Sequence, residues 1–204
     1  MKQLISLLLL AVFFPGCSDE DAVTNPTPVK DIWPMKVGNQ WTFEDQVLDS
    51  AGNVLQLDTT VWLIAKDTVI QGETWHIITI NDVRDPEIQP GAKRSDGVWA
   101  WDGSSGYLVW KYPATVGNSW IIWTDTATVE SINETAAVPA GTFVCVKYKW
   151  VGDRDQNRVY QCHYLSPGIG RVKTEEFFRT AGGFVYVRFR NELISSNLSH
   201  VSFW

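Results

Sequence analysis

The chain has 204 residues, a formal net charge of −6 and 45% hydrophobic residues, an ordinary globular balance for one domain or two small ones. Its 17 basic residues against 23 acidic ones form no basic patch, which argues against nucleic-acid binding. The 11 tryptophans are many for this length.

Met1-Lys2-Gln3 leads into an apolar run over 4–14, broken only by Ser6, and then into Pro15-Gly16-Cys17-Ser18. One positive charge, an apolar stretch of about 7–15 residues and small residues at a cut site describe a secretory signal. The run is shorter than the ~20 apolar residues of a spanning helix. Gly16-Cys17 resembles the core of the bacterial lipoprotein signal, where a small residue precedes a cysteine whose thiol receives diacylglycerol. The resemblance implies that residues 1–16 are removed and that Cys17 becomes the acylated, palmitate-bearing first residue. Each buried acyl CH₂ contributes about 0.8 kcal/mol, so several chains hold a protein stably on a membrane. Under that family's sorting rule, Ser18 after the cysteine implies the outer membrane. Asp19-Glu20-Asp21 resembles the export tag of surface-displayed lipoproteins, with a solvated spacer as the other reading.

Residues 17–31 are polar, carry Pro26 and Pro28, and read as the lipidated N-terminus and a flexible stalk. Residues 32–204 read as a single β-domain. Short runs of Val, Ile, Thr and aromatic residues, punctuated by Gly, Asp, Asn and Pro, predict strands. They fall over 40–48, 59–66, 74–83, 98–101, 107–111, 119–131, 143–151, 158–165, 169–175 and 184–193. No long segment has a 3.6-residue apolar period, so no helix is expected. The fold class is all-β: mostly antiparallel sheet of about 10–12 strands, in two similar halves that form a sandwich or a curved half-barrel.

The halves are read from a repeat. Pro34-Met35-Lys36-Val37-Gly38-Asn39-Gln40-Trp41 recurs as Pro113-Ala114-Thr115-Val116-Gly117-Asn118-Ser119-Trp120. Weaker echoes keep the same order, which implies a duplication over about 34–112 and 113–194. Val-Gly-Asn suits a turn because Gly and Asn tolerate positive φ, and the Trp then opens a strand. The frame, together with Gly141-Thr142-Phe143 and Pro167-Gly168-Ile169-Gly170-Arg171-Val172-Lys173, resembles a group of bacterial envelope lipoproteins without assigned activity. That resemblance implies a shared fold and no chemistry.

With Cys17 acylated, Cys145 and Cys162 remain, an even number in an oxidising compartment. Folding the chain about Asp153 and Arg154 sets Cys145 opposite Cys162, as a disulfide or as two buried thiols on one face. His76, His163 and His200 lie in no metal-ligand pattern, and no nucleophile elbow, phosphate loop or dinucleotide fingerprint occurs. Asp153-x-Asp155-x-Asn157 lacks the Gly and Glu of a calcium loop and reads as a hairpin tip. No cofactor and no enzyme activity are expected. Trp99, Trp101 and Trp110 sit on adjacent predicted strands, and period two puts Trp99 and Trp101 on one face, to stack on a ligand or to fill the core.

The expectation is a membrane-anchored envelope lipoprotein with a non-enzymatic binding or scaffolding domain. The alternatives are a carrier of an apolar ligand in a cavity between the halves, and a carbohydrate-binding or carbohydrate-active surface protein. The partner is a membrane through the lipid, with a glycan, a lipid or an envelope protein beyond it.

Overall fold

A computed structural model describes residues 30–81, 90–152 and 158–198. Cys17, most of the stalk, the Asp153–Asn157 tip and His200 lie outside the described residues. All regular structure among those described is strand, in chain order β1 (Gln40–Leu48), β2 (Val54–Ile70), β3 (Glu73–Ile80), β4 (Gly91–Arg94), β5 (Gly97–Trp101) and β6 (Gly106–Lys111). Then follow β7 (Ser119–Ile122), β8 (Asp125–Val138), β9 (Gly141–Val151), β10 (Arg158–Ser166), β11 (Gly170–Arg179) and β12 (Val185–Ser196).

The 12 strands form one antiparallel sheet in the order β6-β5-β4-β3-β2-β1-β12-β11-β10-β9-β8-β7. Each half is a six-stranded meander, and β1 pairs with β12 to join them. The outer strands β6 and β7 are the two ends of the sheet, which curls until they approach: the Tyr107 and Trp123 rings lie 4.9 Å apart across the seam. The Tyr148 hydroxyl donates to the Lys111 carbonyl at 2.8 Å, which ties β6 to the inner face of β9. The result is a single nearly closed barrel rather than two facing sheets.

The repeated frame folds the same way twice. Gly38 and Gly117 have φ of 91° and 86°. Asn39 N–H donates to the Lys36 carbonyl at 2.9 Å, and Asn118 N–H to Thr115 at 3.0 Å. Gly38 N–H donates to the Ile64 carbonyl of β2 and Ile64 N–H donates to the Asn39 carbonyl, as Gly117 N–H does to Val129 of β8 and Val129 N–H to Asn118. The tryptophans then differ. Trp41 is sealed in the core and its indole N–H donates to the Ile169 carbonyl at 2.6 Å, whereas the Trp120 N–H has no such partner.

Three local expectations are corrected. The run 119–131 is a hairpin, not one strand: Ile122 pairs with Asp125, and Trp123 turns the chain at φ 54°. No Gly or Pro marks that turn; it is held instead by buried Asp125, whose carboxylate meets the Arg158 guanidinium at 3.3 Å. Strand β4, Gly-Ala-Lys-Arg, has no β-forming composition and exists because β5 pairs along it.

The third concerns the cysteines. Cys162 pairs across with Lys149, not Cys145, and both thiols are free. Four residues of strand, about 13 Å at ~3.3 Å each, exceed the ~7 Å Cα limit for a disulfide. In the β9–β10 register Cys162 meets a residue four positions further along β9 than the expected fold-back gives. That displaces the register by an even number, so every side chain keeps its face while the pairing changes. Burial pushes the Cys145 thiol up to about 12 and the Cys162 thiol up to about 11.

Candidate functional site

Alternation along the strands turns one aromatic set inward: Trp62 from β2, Trp110 from β6, Trp150 from β9, and His163 from β10. Trp33, from the segment before β1, joins them, and Arg171 enters from β11. Together with Ile78 and Val98 they line an open-mouthed cavity of about 250 Å³ that draws on both halves of the chain. It falls just under the ~300 Å³ at which drug-sized sites begin, so it suits a small molecule.

The wall is a web of rings. Trp110 stacks on Trp150 at 4.7 Å, and the His163 ring lies 4.4 Å from Trp150 and 4.8 Å from Trp110. Across the cavity Trp33 approaches Trp62 at 6.1 Å. The His163 nitrogens meet Thr174 Oγ1 and Gln161 Oε1, each at 3.2 Å. Burial first, and then the Arg171 and Arg158 charges, hold His163 well below the ordinary histidine range. It is therefore neutral at physiological pH.

Arg171 is the exception in this wall. Its guanidinium lies 3.9 Å from the Trp62 ring and 4.6 Å from the Phe43 ring. Its Nε is sealed from solvent without a hydrogen-bond partner. Burial brings its pKa down to about 10, with Asp45 pulling weakly the other way. Asp45 is itself occupied, accepting from Thr60 Oγ1 at 2.7 Å and from Asn191 Nδ2. No acceptor of the described residues bonds the Arg171 guanidinium, yet at neutral pH it carries its charge.

The segment that delivers Arg171 is the Pro167-Gly168-Ile169-Gly170 turn. Gly168 N–H donates to the Asp31 carbonyl at 2.7 Å, so the turn holds the chain as it enters the domain. A Cβ at Gly170, where φ is +93°, would lie 2.6 Å from Trp33 Cδ1. Glycine there leaves room for the Trp33 ring beside the turn, where it forms one wall of the cavity. A groove of about 370 Å³ around Lys30, Lys93, Tyr112 and Pro113 adjoins the cavity, sharing Trp33 and Val98 with it.

Of the three tryptophans singled out from sequence, Trp110 lies in the cavity wall. Trp99 borders it, but alternation along β5 sends its ring to the side opposite Val98 and Ala100. There the Arg94 guanidinium covers it at 4.1 Å and its N–H donates to Asp96 at 2.8 Å. Trp101 shares that side, 5.5 Å from Trp75, which Arg94 also approaches. The two therefore form a separate cluster capped by the Arg94–Glu73 pair, with N–O distances of 2.9 and 2.7 Å. His76 pairs with Asp67 at 2.7 Å, away from the cavity. Sequence reading passed over Trp33, Trp62, Trp150, His163 and Arg171. The available signal was Arg171 itself, a cation set between two inward valine and isoleucine positions of the Gly-Ile-Gly-Arg-Val run.

No protein-family model matches the chain, and no curated protein is similar to it in sequence. Among solved structures, an assigned exported protein of YmcC-like fold from Bacteroides fragilis is similar over 82% of this chain and 99% of its own. That likeness has 13% identity and a TM-score of 0.46. A protein assigned as a lipoprotein from Parabacteroides distasonis is similar over 84% of this chain and 100% of its own, at 12% identity and a TM-score of 0.45. Likeness at this distance carries no argument about activity.

Proposed function

We propose that this chain is a bacterial envelope lipoprotein, held on the outer membrane through acylated Cys17, whose β-barrel binds a small, largely apolar ligand between its two halves. The observation that carries the binding role is the aromatic cavity at Trp33, Trp62, Trp110 and Trp150. Small-molecule sites are concave, mostly apolar and furnished with a few placed polar groups, and this one has that make-up. The anchor rests on Gly16-Cys17 after the apolar run, and the polar residues 18–29 give the domain reach from the membrane.

The role is binding rather than catalysis. His163, on the cavity wall, has both ring nitrogens engaged by Thr174 and Gln161 and is held neutral. It has no free nitrogen with which to move a proton. The two thiols are deep and their pKa values are raised, which removes thiolate chemistry. Sugar stacking on Trp99 is disfavoured because the Arg94 guanidinium occupies its ring.

Two measurements test the reading. Cys17→Ala removes the acyl chains, and unchanged membrane fractionation with no acyl mass at Cys17 would refute the anchor. For the cavity, 2-naphthamide is titrated into the full chain carrying Cys17→Ala, followed by tryptophan fluorescence. Saturable one-to-one quenching is expected, abolished by Val98→Phe, which puts a ring into the space. Quenching that survives Val98→Phe unchanged places the ligand elsewhere and sinks the cavity reading.

A further inference from the structure

We infer that the ligand of this cavity is an acid: a small molecule with an apolar or aromatic body and one carboxylate, which the Arg171 guanidinium receives. The inference rests on the reading of the cavity as a ligand site and names the class of its occupant.

Three observations converge on Arg171. It lines the cavity, it has no hydrogen-bond acceptor among the described residues, and its Nε is sealed from water. An ionised group taken out of water is costly unless paired and hydrogen-bonded. Its contacts here are the faces of Trp62 and Phe43. Such contacts attract the cation but use none of its five N–H donors. The two rings stand at 76° to each other, so the guanidinium cannot lie flat on both, and its planar fork of N–H donors is left unspent. That fork matches a carboxylate in bidentate geometry.

The surroundings agree in sign. His163, which shares this wall, is neutral, and Arg158, which also repels a proton on His163, is paired with Asp125. Asp45, the acid that acts on Arg171 through space, is turned toward Thr60 and Asn191. The cavity thus has an apolar wall and one uncompensated positive end. Its volume of about 250 Å³ leaves room for a bicyclic or short acyl body and not for a phospholipid.

The test compares two probes of equal shape, 2-naphthoate and 2-naphthamide, by titration calorimetry on the full chain carrying Cys17→Ala. Binding of the acid at least tenfold tighter than the amide is expected. Arg171→Met is expected to remove that preference by weakening the acid while leaving the amide within about twofold. Equal affinities in the protein with Arg171 intact would overturn the inference and leave the apolar-ligand reading standing. Failure of both probes to bind would overturn both. Because the acid-to-amide ratio is read in the chain with Arg171 in place, the test does not depend on the variant folding.

Discussion

Arg171→Met is expected to make the ligand-free domain more stable, not less. At 1.36 kcal/mol per pH unit, lowering the guanidinium pKa from 12.5 to about 10 makes its charged form cost about 3 kcal/mol. The folded pKa lies below the unfolded one, so this cost is complete at neutral pH and is relieved only as pH rises through about 10. Cation–π attraction to Trp62 and Phe43 offsets about 1–2 kcal/mol of it. Methionine keeps a flexible apolar stem that can fill the space beside Trp62. The net gain is about 1 kcal/mol, or roughly 2–4 °C in Tm for a domain of this size. Urea unfolding followed by far-UV circular dichroism, at neutral pH and without ligand, measures it. An unchanged slope with a higher midpoint is the expected result. A loss of about 2 kcal/mol or more would instead make Arg171 a structural residue with partners of its own. A residue that destabilises the empty protein and is nevertheless present fits a binding group better than a packing group.

Other predictions follow from the same geometry. The Cys145 and Cys162 thiols, raised to about 12 and 11, should ignore a thiol reagent at about pH 8 in the native state and both react once the unreduced protein is denatured; silence after denaturation would mean that they are bridged and that the β9–β10 register is wrong. His163 refuses a proton that the unfolded chain accepts near pH 6.5, so stability should fall below that pH by up to ~1.4 kcal/mol per pH unit. His163→Gln should flatten the difference between urea midpoints at about pH 7.5 and about pH 5.5; an equal acid loss in both proteins would move the cause elsewhere. Gly170→Ala puts a Cβ 2.6 Å from the Trp33 ring at φ +93° and should cost about 2–4 kcal/mol, read as a lower urea midpoint. A midpoint within error of the parent would show that Trp33 does not lie on that turn.

The sequence conveyed strands well and the site poorly, for reasons that can be named. β1 was legible residue for residue because Val37-Gly38-Asn39 marks its start and alternation marks its length. β4 was not, since a Gly-Ala-Lys-Arg strand owes its existence to its neighbour. The turn at Trp123 carries no turn residue, so 119–131 read as one strand. Face assignment for Cys145 and Cys162 survived, but their pairing depended on the register of one hairpin, which differs by four residues from the expected fold-back. A cavity between the halves stood only as one alternative in the sequence reading. Its wall was not legible, because Trp33, Trp62, Trp150 and Arg171 come together only when the sheet curls and β6 meets β9. Local patterning can say that Trp99 and Trp101 share a face, but not that Arg94 covers one of them.

The most direct test of the account is a crystal structure of the protein soaked with 2-naphthoate. The expected result is density for the ring pair between Trp62, Trp110 and Trp150, with the carboxylate within hydrogen-bonding distance of the Arg171 guanidinium. Density for the probe only outside the barrel, with water or a protein carboxylate bonded to Arg171, would contradict it.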